Sequence, residues 1–588
     1  MFSLMRVQRT TRLIFLSAIL GVVGGLGAEL FVWLLDLSQH WILTAISGYK
    51  YIEASQARAM GVAPPSGWHF LIPVATTLGG LVSGILVYGL APEAEGHGTD
   101  AAVKGYHRTA GRIRYRIPVI KTIASAITIG SGGSAGREGP TAQIAAGVGS
   151  VLGGLLKLPD EERRVLLLVG MAAGLSAIFK SPLGTALFAV EILYSTMGFE
   201  GRYLTFTLVA SAVAYTISGL FNGWLPLFVL PHDVNFGAPV DLIWFVILAV
   251  LAGGLGAVLP TAFYWTRDRF HELKVPNFLK PAIGGLGVGL LGVIAPPLLG
   301  GGYGYIQFAL QGGGNIALWA LLLLSIGKII ALSLTVASGG SGGVFAPSLY
   351  VGAMLGAAFA LLLHYVGITG IPVTALAVVG MAALFAGAAR VPIASMVMVA
   401  EMTGGYQLIM PTMLAVAISY LVQSTLTRNA KYPTLYEAQE ATPATSPANV
   451  EMFSEIIADY LRHNRMRLDD TTLTHHLGLS LAEGHGVPLA RGHELLYRVT
   501  LEPGTPAAGK QVRQMACENA VVVAVLRGSL EMVPGAATVL EVGDDLLLAA
   551  TPEALAEFRR RIAPPEMAGD EAIEPLEEKA EAARDAAG

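Results

Sequence analysis

The sequence predicts an all-α polytopic membrane protein built from two inverted repeats of broken helices, followed by a small, β-rich α/β domain on the cytoplasmic side. Three observations carry that reading. Apolar residues fill 53% of the 588 positions and charged residues only 14%, too few charges to cover a soluble protein of this size. Many apolar runs are cut short by Gly or Pro, which lipid tolerates only where protein or a water-filled path satisfies the freed backbone. A glycine-rich motif recurs, with the proline that closes it displaced by 347 − 140 = 207 positions.

Taken in order, the chain opens with Arg6, Arg9 and Arg12 ahead of the apolar run Leu13–Leu35. Basic residues before a first span favour a cytoplasmic start, and without a signal-cleavage pattern the span is read as retained. His69–Leu90, Leu242–Tyr264, Ala317–Val336 and Leu408–Leu426 are long enough, or nearly so, to cross a hydrocarbon core of about 30 Å. Lys104–Arg116 and Arg267–Lys274 are the most basic connections and are assigned to the cytoplasmic face.

The chain is organised around Gly130–Pro140, eleven residues with five glycines, one proline and the carboxylate of Glu138. Pro140 suits a first helical turn, so the spacing predicts a helix from Thr141 onward with its amino end near Glu138. Unsatisfied N–H groups and aligned peptide dipoles make such an end attractive to anions. The motif thus reads as an anion site in an apolar matrix, with its own carboxylate as a competitor. Gly132–Pro140 is echoed by Gly339–Pro347; further on, Val169–Ala173 matches Val379–Ala383, and Lys180, Pro182 and Glu191 match Arg390, Pro392 and Glu401, each 210 positions apart. Paired breaks in corresponding halves point to a transporter with its site near the bilayer midplane, between discontinuous helices. Inversion of the second half follows from that fold logic.

After Tyr436 the character changes. Residues 438–488 read as a linker with one helical segment, Met452–Arg462; the neighbours His475 and His476 lack a third ligand and are read as solvated surface. Leu495–Leu501, Ala520–Arg527 and Asp544–Ala550 are expected as strands and Pro552–Ile562 as a helix. An acidic tail at 564–588 reads as disordered or a solvated helix. The one cysteine, Cys517, excludes an intramolecular disulfide and a multi-cysteine metal site, and no metal or cofactor motif is found.

Gly136-Arg137-Glu138-Gly139-Pro140, Gly343-Val344-Phe345-Ala346-Pro347, the stretch Glu401–Pro411 and the tyrosine in Pro433–Tyr436 together resemble the CLC family of chloride channels and chloride/proton exchangers over residues 15–437. The resemblance implies a CLC-like membrane domain at 1–437 with repeats near 95–235 and 300–437, a homodimer with a pore in each subunit, and transport of chloride or a similar monovalent anion. It implies that Glu138 occupies an anion site until protonated, serving as gate and proton-coupling group. It assigns anion binding to His97, Gly98, Arg137, Glu138, Gly139, Val344, Phe345, Ala346 and Tyr436. The expected function is a proton-coupled antiporter; a passive voltage- or pH-gated chloride channel is the alternative.

Two departures bear on this. His97, in Ala91–Asp100, stands where the family's anion-coordinating serine is expected, and Ile192 stands where exchangers often carry a second, proton-path glutamate, so that either Glu191 or water substitutes for it or coupling is weak or absent. Glu191 and Glu401 are otherwise read as loop braces. Residues 489–563 resemble the TrkA-C domain, with the Gly543-Asp544 pair after a strand; the resemblance implies a cytoplasmic, dimeric module that takes a small ligand or only stabilises a dimer. Termini are placed in the cytoplasm of a bacterial inner membrane, with lipid, protons and anion as partners and no nucleic acid. A potassium pathway is the rival from another substrate class, because Gly302-Tyr303-Gly304 resembles a filter core; it lacks the preceding Thr-Val and is read as a loop. No HExxH, GxSxG, Walker or paired-carboxylate pattern supports an enzyme.

Overall fold

The computed structural model describes residues 2–61, 69–231, 234–312, 316–441, 446, 448, 487–488, 495–515, 517, 519–527, 530–532 and 534–562. The expected helix Met452–Arg462, the pair His475 and His476, and the acidic tail lie outside them. The chain forms two compact units, Met1–Gln439 and Glu440–Gly588.

The first unit opens with α1 (Phe2–Ser38), which continues through a π-helical turn, Gln39–Thr44, into α2 (Ala45–Ser47); α3 (Ala54–Met60) follows. Then come α4 (Ile72–Leu90), α5 (Thr99–Arg108), α6 (Arg116–Gly130), α7 (Glu138–Leu155), α8 (Asp160–Phe179), α9 (Pro182–Glu191) and α10 (Leu204–Asn222). The second half runs through α11 (Leu242–Glu272), α12 (Lys280–Ile294), α13 (Tyr303–Leu310), α14 (Leu318–Val336), α15 (Phe345–Tyr365), α16 (Val373–Ala389), α17 (Pro392–Thr403) and α18 (Ile409–Leu426). Elements α4 to α10 therefore answer α12 to α18 one for one. Even the short 3₁₀ turns agree: Pro92–Ala94 with Pro296–Leu298, and Gly201–Tyr203 with Tyr406–Leu408. The correspondence of elements extends back to α4 and α12, at residues 72 and 280, ahead of the expected repeat bounds near 95 and 300.

Among the described residues eight helical segments are long and apolar enough to cross a membrane, including the five read from the sequence. Gly201–Asn222, Asn277–Ile294 and Phe345–Tyr365 join them. The protein is a multi-pass integral membrane protein.

The two halves meet by reciprocal contacts, the mark of a local two-fold relation. Glu191, at the end of α9, accepts hydrogen bonds from the N–H groups of Ile393 (3.0 Å) and Ala394 (2.6 Å) at the start of α17. Glu401, in the last turn of α17, accepts from Ser181 Oγ (2.6 Å) and the N–H of Gly184 (2.8 Å) at the start of α9. Each carboxylate satisfies orphan donors of the opposite helix. The matched pair Lys180 and Arg390 is explained by another shared task. Each ends its helix, α8 or α16, in the left-handed conformation (φ 54° and 56°). Lys180 Nζ then donates to the carbonyls of Asn222 (3.0 Å) and Gly223 (2.9 Å), and Arg390 donates to Gln423 Oε1 (3.0 Å) and Thr427 Oγ1 (2.8 Å). Cations are favoured at helix carboxyl ends, where the peptide dipoles leave partial negative charge. At the other end of α8, Asp160, Glu161 and Glu162 fill the first turn, and Arg9 and Arg12 of α1 pair with Glu161 and Glu162 at 2.6–3.1 Å.

The second unit contains a five-stranded antiparallel sheet of β1 (Val487–Pro488), β2 (Leu495–Thr500), β3 (Ala520–Arg527), β4 (Leu530–Met532) and β5 (Asp545–Ala550), in the order β1-β2-β5-β3-β4. The helix α19 (Pro552–Ile562) packs Leu555 and Phe558 into a core with Tyr497, Val499, Val525 and Leu548. Three strands and the helix follow the sequence expectation to within a residue, while β1 and β4 are too short to carry a period. The Gly543-Asp544 pair is a turn device: Gly543 takes φ 88°, and buried Asp544 accepts from Arg527 Nε and the Glu541 N–H, both at 2.8 Å. The Arg527 guanidinium holds that carboxyl below the usual carboxylate range.

Candidate functional site

Three chain breaks converge in the first unit, and glycine allows it. Gly136 and Gly343 exchange both backbone hydrogen bonds, at 2.8 and 2.7 Å, so α7 and α15 begin side by side. Gly96 donates to the Gly340 carbonyl (3.2 Å) and accepts from Gly342 (3.3 Å), which brings in the start of α5. Here backbone packs on backbone: a Cβ on Gly139 would lie 2.0 Å from the His97 carbonyl oxygen, and one on Gly98 would lie 2.4 Å from that of Gly139. Several helix amino ends aimed at one locus create a positive potential without a formal charge.

The helix at the signature motif begins at Glu138 itself, three residues before the Thr141 start that Pro140 suggested, and Phe345 begins the second one. Pro140 and Pro347 thus each occupy the third helical position, where a missing N–H costs nothing because the first turn has no internal acceptor for it. Glu138 is buried and has no ion-pair partner among the described residues, Arg137 included. Its Oε1 accepts a hydrogen bond from the Tyr303 hydroxyl, while Oε2 has no hydrogen-bond partner among the described residues. The N–H groups of Glu138 and Ala346 face the carboxylate.

Of the residues assigned to the anion, His97, Gly98, Glu138, Gly139, Val344, Phe345, Ala346 and Tyr436 are all buried around these breaks. The His97 ring stands edge-on to Tyr436 at 5.4 Å and to Phe263 at 6.0 Å, with Nδ1 buried and unpartnered. The Tyr436 hydroxyl faces the Thr99 side chain at the start of α5. The Phe345 side chain is held among Phe385 (4.2 Å), Phe179 (4.4 Å) and Phe188 (6.3 Å), which leaves its backbone as the polar part. Arg137 stands apart: half-buried, with its guanidinium 4.7 Å from the centre of the Tyr303 ring, it borders a cavity of about 280 Å³ also lined by Glu29, Arg58, Lys180 and Gln307.

The structure corrects the reading of Gly302-Tyr303-Gly304 as a loop. Gly302 caps a helix at φ 80°, and Tyr303 and Gly304 form the first turn of α13. Sequence reasoning also missed two buried cations. Lys121 Nζ donates to the carbonyls of Ala94 (2.9 Å) and Gly96 (2.7 Å), and Lys328 Nζ donates to those of Leu298 (2.9 Å) and Gly300 (2.6 Å). Their spacing, 328 − 121 = 207, equals that of Pro140 and Pro347 and was legible in the sequence. Each ammonium supports the loop ahead of one helix amino end, and Lys121 adds a buried positive charge beneath His97. Glu191, offered as a proton carrier, has both carboxylate oxygens engaged at the start of α17.

Residues 79–424, more than half of the chain, match the family described as "Voltage gated chloride channel", and residues 496–563 match the TrkA-C domain. The H(+)/Cl(-) exchange transporter ClcA of Salmonella arizonae is 34% identical over 357 residues, covering 58% of this chain and 73% of that protein. ClcA of Salmonella agona is 32% identical over 415 residues, covering 68% and 82%. Among solved structures, a slow cyanobacterial Cl-/H+ antiporter superposes with a TM-score of 0.62 at 23% identity, over 72% of this chain and 96% of that one. With its paired helix breaks, reciprocal halves and buried carboxylate, the chain belongs to the voltage gated chloride channel family, CLC, and carries a TrkA-C domain after its membrane unit.

Proposed function

We propose that this protein exchanges chloride, or a small anion of similar charge, for protons, with Glu138 as the proton-operated gate. The observation that carries the proposal is the seat of Glu138: a buried carboxylate without an ion-pair partner among the described residues, at the point where helix amino ends converge. Buried unpaired carboxylates in a membrane are costly and persist where they are used. Deprotonated, the side chain competes with an anion for the same donors; protonated, it loses its charge and its claim on them. His97, with an unpartnered ring nitrogen beside Tyr436, supplies a donor where a serine hydroxyl is expected. Relatives named as H(+)/Cl(-) exchange transporters support the exchange reading.

A passive channel is the second reading, and Ile192 favours it. Isoleucine carries no proton, and Glu191 beside it is committed to the start of α17. The protein is further read as a homodimer with a pore in each subunit and cytoplasmic termini in a bacterial inner membrane, its TrkA-C domain taking a small ligand or strengthening the dimer. The deciding experiment measures chloride and proton movement together from liposomes holding the full chain. Uphill proton movement driven by a chloride gradient, lost in Glu138→Gln, is expected; robust chloride flux with no proton movement in the unsubstituted chain overturns exchange in favour of the channel.

A further inference from the structure

The glycine run before α13 has no part in the anion site described above, yet it delivers a side chain to the gate. Lys328 fixes the run by its bond to the Gly300 carbonyl. A Cβ on Gly301 would lie 2.4 Å from the Tyr303 ring, and one on Gly302 would lie 2.4 Å from that of Tyr350, so the backbone leaves Tyr303 little choice of place. The ring is 7% exposed, with the Arg137 guanidinium 4.7 Å from its centre and Phe228 stacked at 6.2 Å. Its hydroxyl donates to Glu138 Oε1. The first half repeats the device: there the residue opening the short helix is Thr99, whose side chain faces Tyr436. Each half thus ends its glycine loop with a hydroxyl aimed at a side chain of the anion path.

We infer that Tyr303 is a positioning residue that latches the deprotonated Glu138 carboxylate in its seat and thereby sets the pH at which the gate opens. The inference rests on the reading of Glu138 as a proton-operated gate. A hydroxyl donates more strongly to a carboxylate than to a neutral carboxyl, so the latch holds the charged form and loosens once the proton arrives. Oε2, which has no partner, is the open place for that proton. The charged and titratable groups facing the pair are Arg137 beside Glu138, Tyr436 across the anion path, and Tyr49, Tyr51, Glu53 and Tyr305 around the Tyr303 side. Arg137 is the formal charge acting on the carboxylate, and Tyr303→Phe leaves it and the ring packing in place.

The test is the pH profile of chloride efflux from liposomes containing the full chain. Tyr303→Phe is expected to move the half-activation point to higher pH by about one to two units, because a bond to the charged form is lost. The same substitution in a Glu138→Gln background is expected to produce no pH shift, since the acceptor charge is gone. Gly301→Ala, which keeps the hydroxyl but displaces the ring, is expected to shift the profile in the same direction and decides the matter if Tyr303→Phe does not fold. An unchanged profile in the folded variants, or a shift that persists without the Glu138 charge, overturns the latch. A Glu138→Gln protein with the unsubstituted pH profile overturns the gate reading itself, which is a separate failure.

Discussion

Gly136→Ala tests the seat proposed for Glu138 without replacing that residue. A Cβ at position 136 would lie 2.0 Å from Glu138 Oε2 and 3.1 Å from the Ala346 Cβ. Ordinary contact begins at 3.4 Å, so the carboxylate must retreat by 3.4 − 2.0 = 1.4 Å. Oε1, which accepts from Tyr303, shares that carboxylate, so the displacement is expected to cost the bond. A hydrogen bond to a charged group contributes about 1.5–3 kcal/mol, so the seated population falls by roughly one to two orders of magnitude. The bonds between Gly136 and Gly343 are made by backbone and survive the added methyl, which keeps the helix starts together. The assay is paired chloride and proton flux from liposomes at neutral pH. Chloride flux is expected to rise and the protons moved per chloride to fall, in the direction of Glu138→Gln. A folded Gly136→Ala protein with unchanged flux and unchanged coupling refutes the competition between carboxylate and anion.

Two further predictions concern stability. Glu401→Ala strands the Ser181 hydroxyl and the Gly184 N–H at the buried start of α9, which costs about 2–4 kcal/mol, and Glu401→Gln less; thermal unfolding in detergent should show the graded loss, and equal midpoints refute the brace. In the second unit, the Asp544 carboxyl is depressed by Arg527, so the stability it contributes is present above its unfolded value of about 3.9 and is lost as pH falls through the lower folded value. The protection of the β3 and β5 amides in the full chain, taken relative to the intrinsic exchange rate at each pH, should therefore fall on acidification toward about pH 3 and do so less in Asp544→Asn; identical acid responses refute the assignment.

Much of the architecture was readable from residues. The composition, the five apolar runs and the offset near 207 specify a repeated membrane protein, because lipid leaves few solutions to a chain with so many interrupted spans. The strands of the second unit were readable from their own periodicity and turn residues. In the candidate site, Glu138, His97, Phe345 and Tyr436 were named by local pattern and resemblance, and the structure buries all four near the helix breaks. Tyr303 and the carbonyls that hold Lys121 and Lys328 were not found, because a hydroxyl 165 positions from its acceptor leaves no local trace. The tertiary structure decided which break meets which: that Gly136 lies against Gly343, that Glu191 and Glu401 cap each other's helices, and that a glycine run read as a loop starts a helix whose first side chain bonds Glu138. Sequence alone determined where the helices break, since glycine and proline act on their own neighbourhood. Only the fold could decide what the freed backbone groups and the buried carboxylate would face, since those partners are brought together by packing across the two halves.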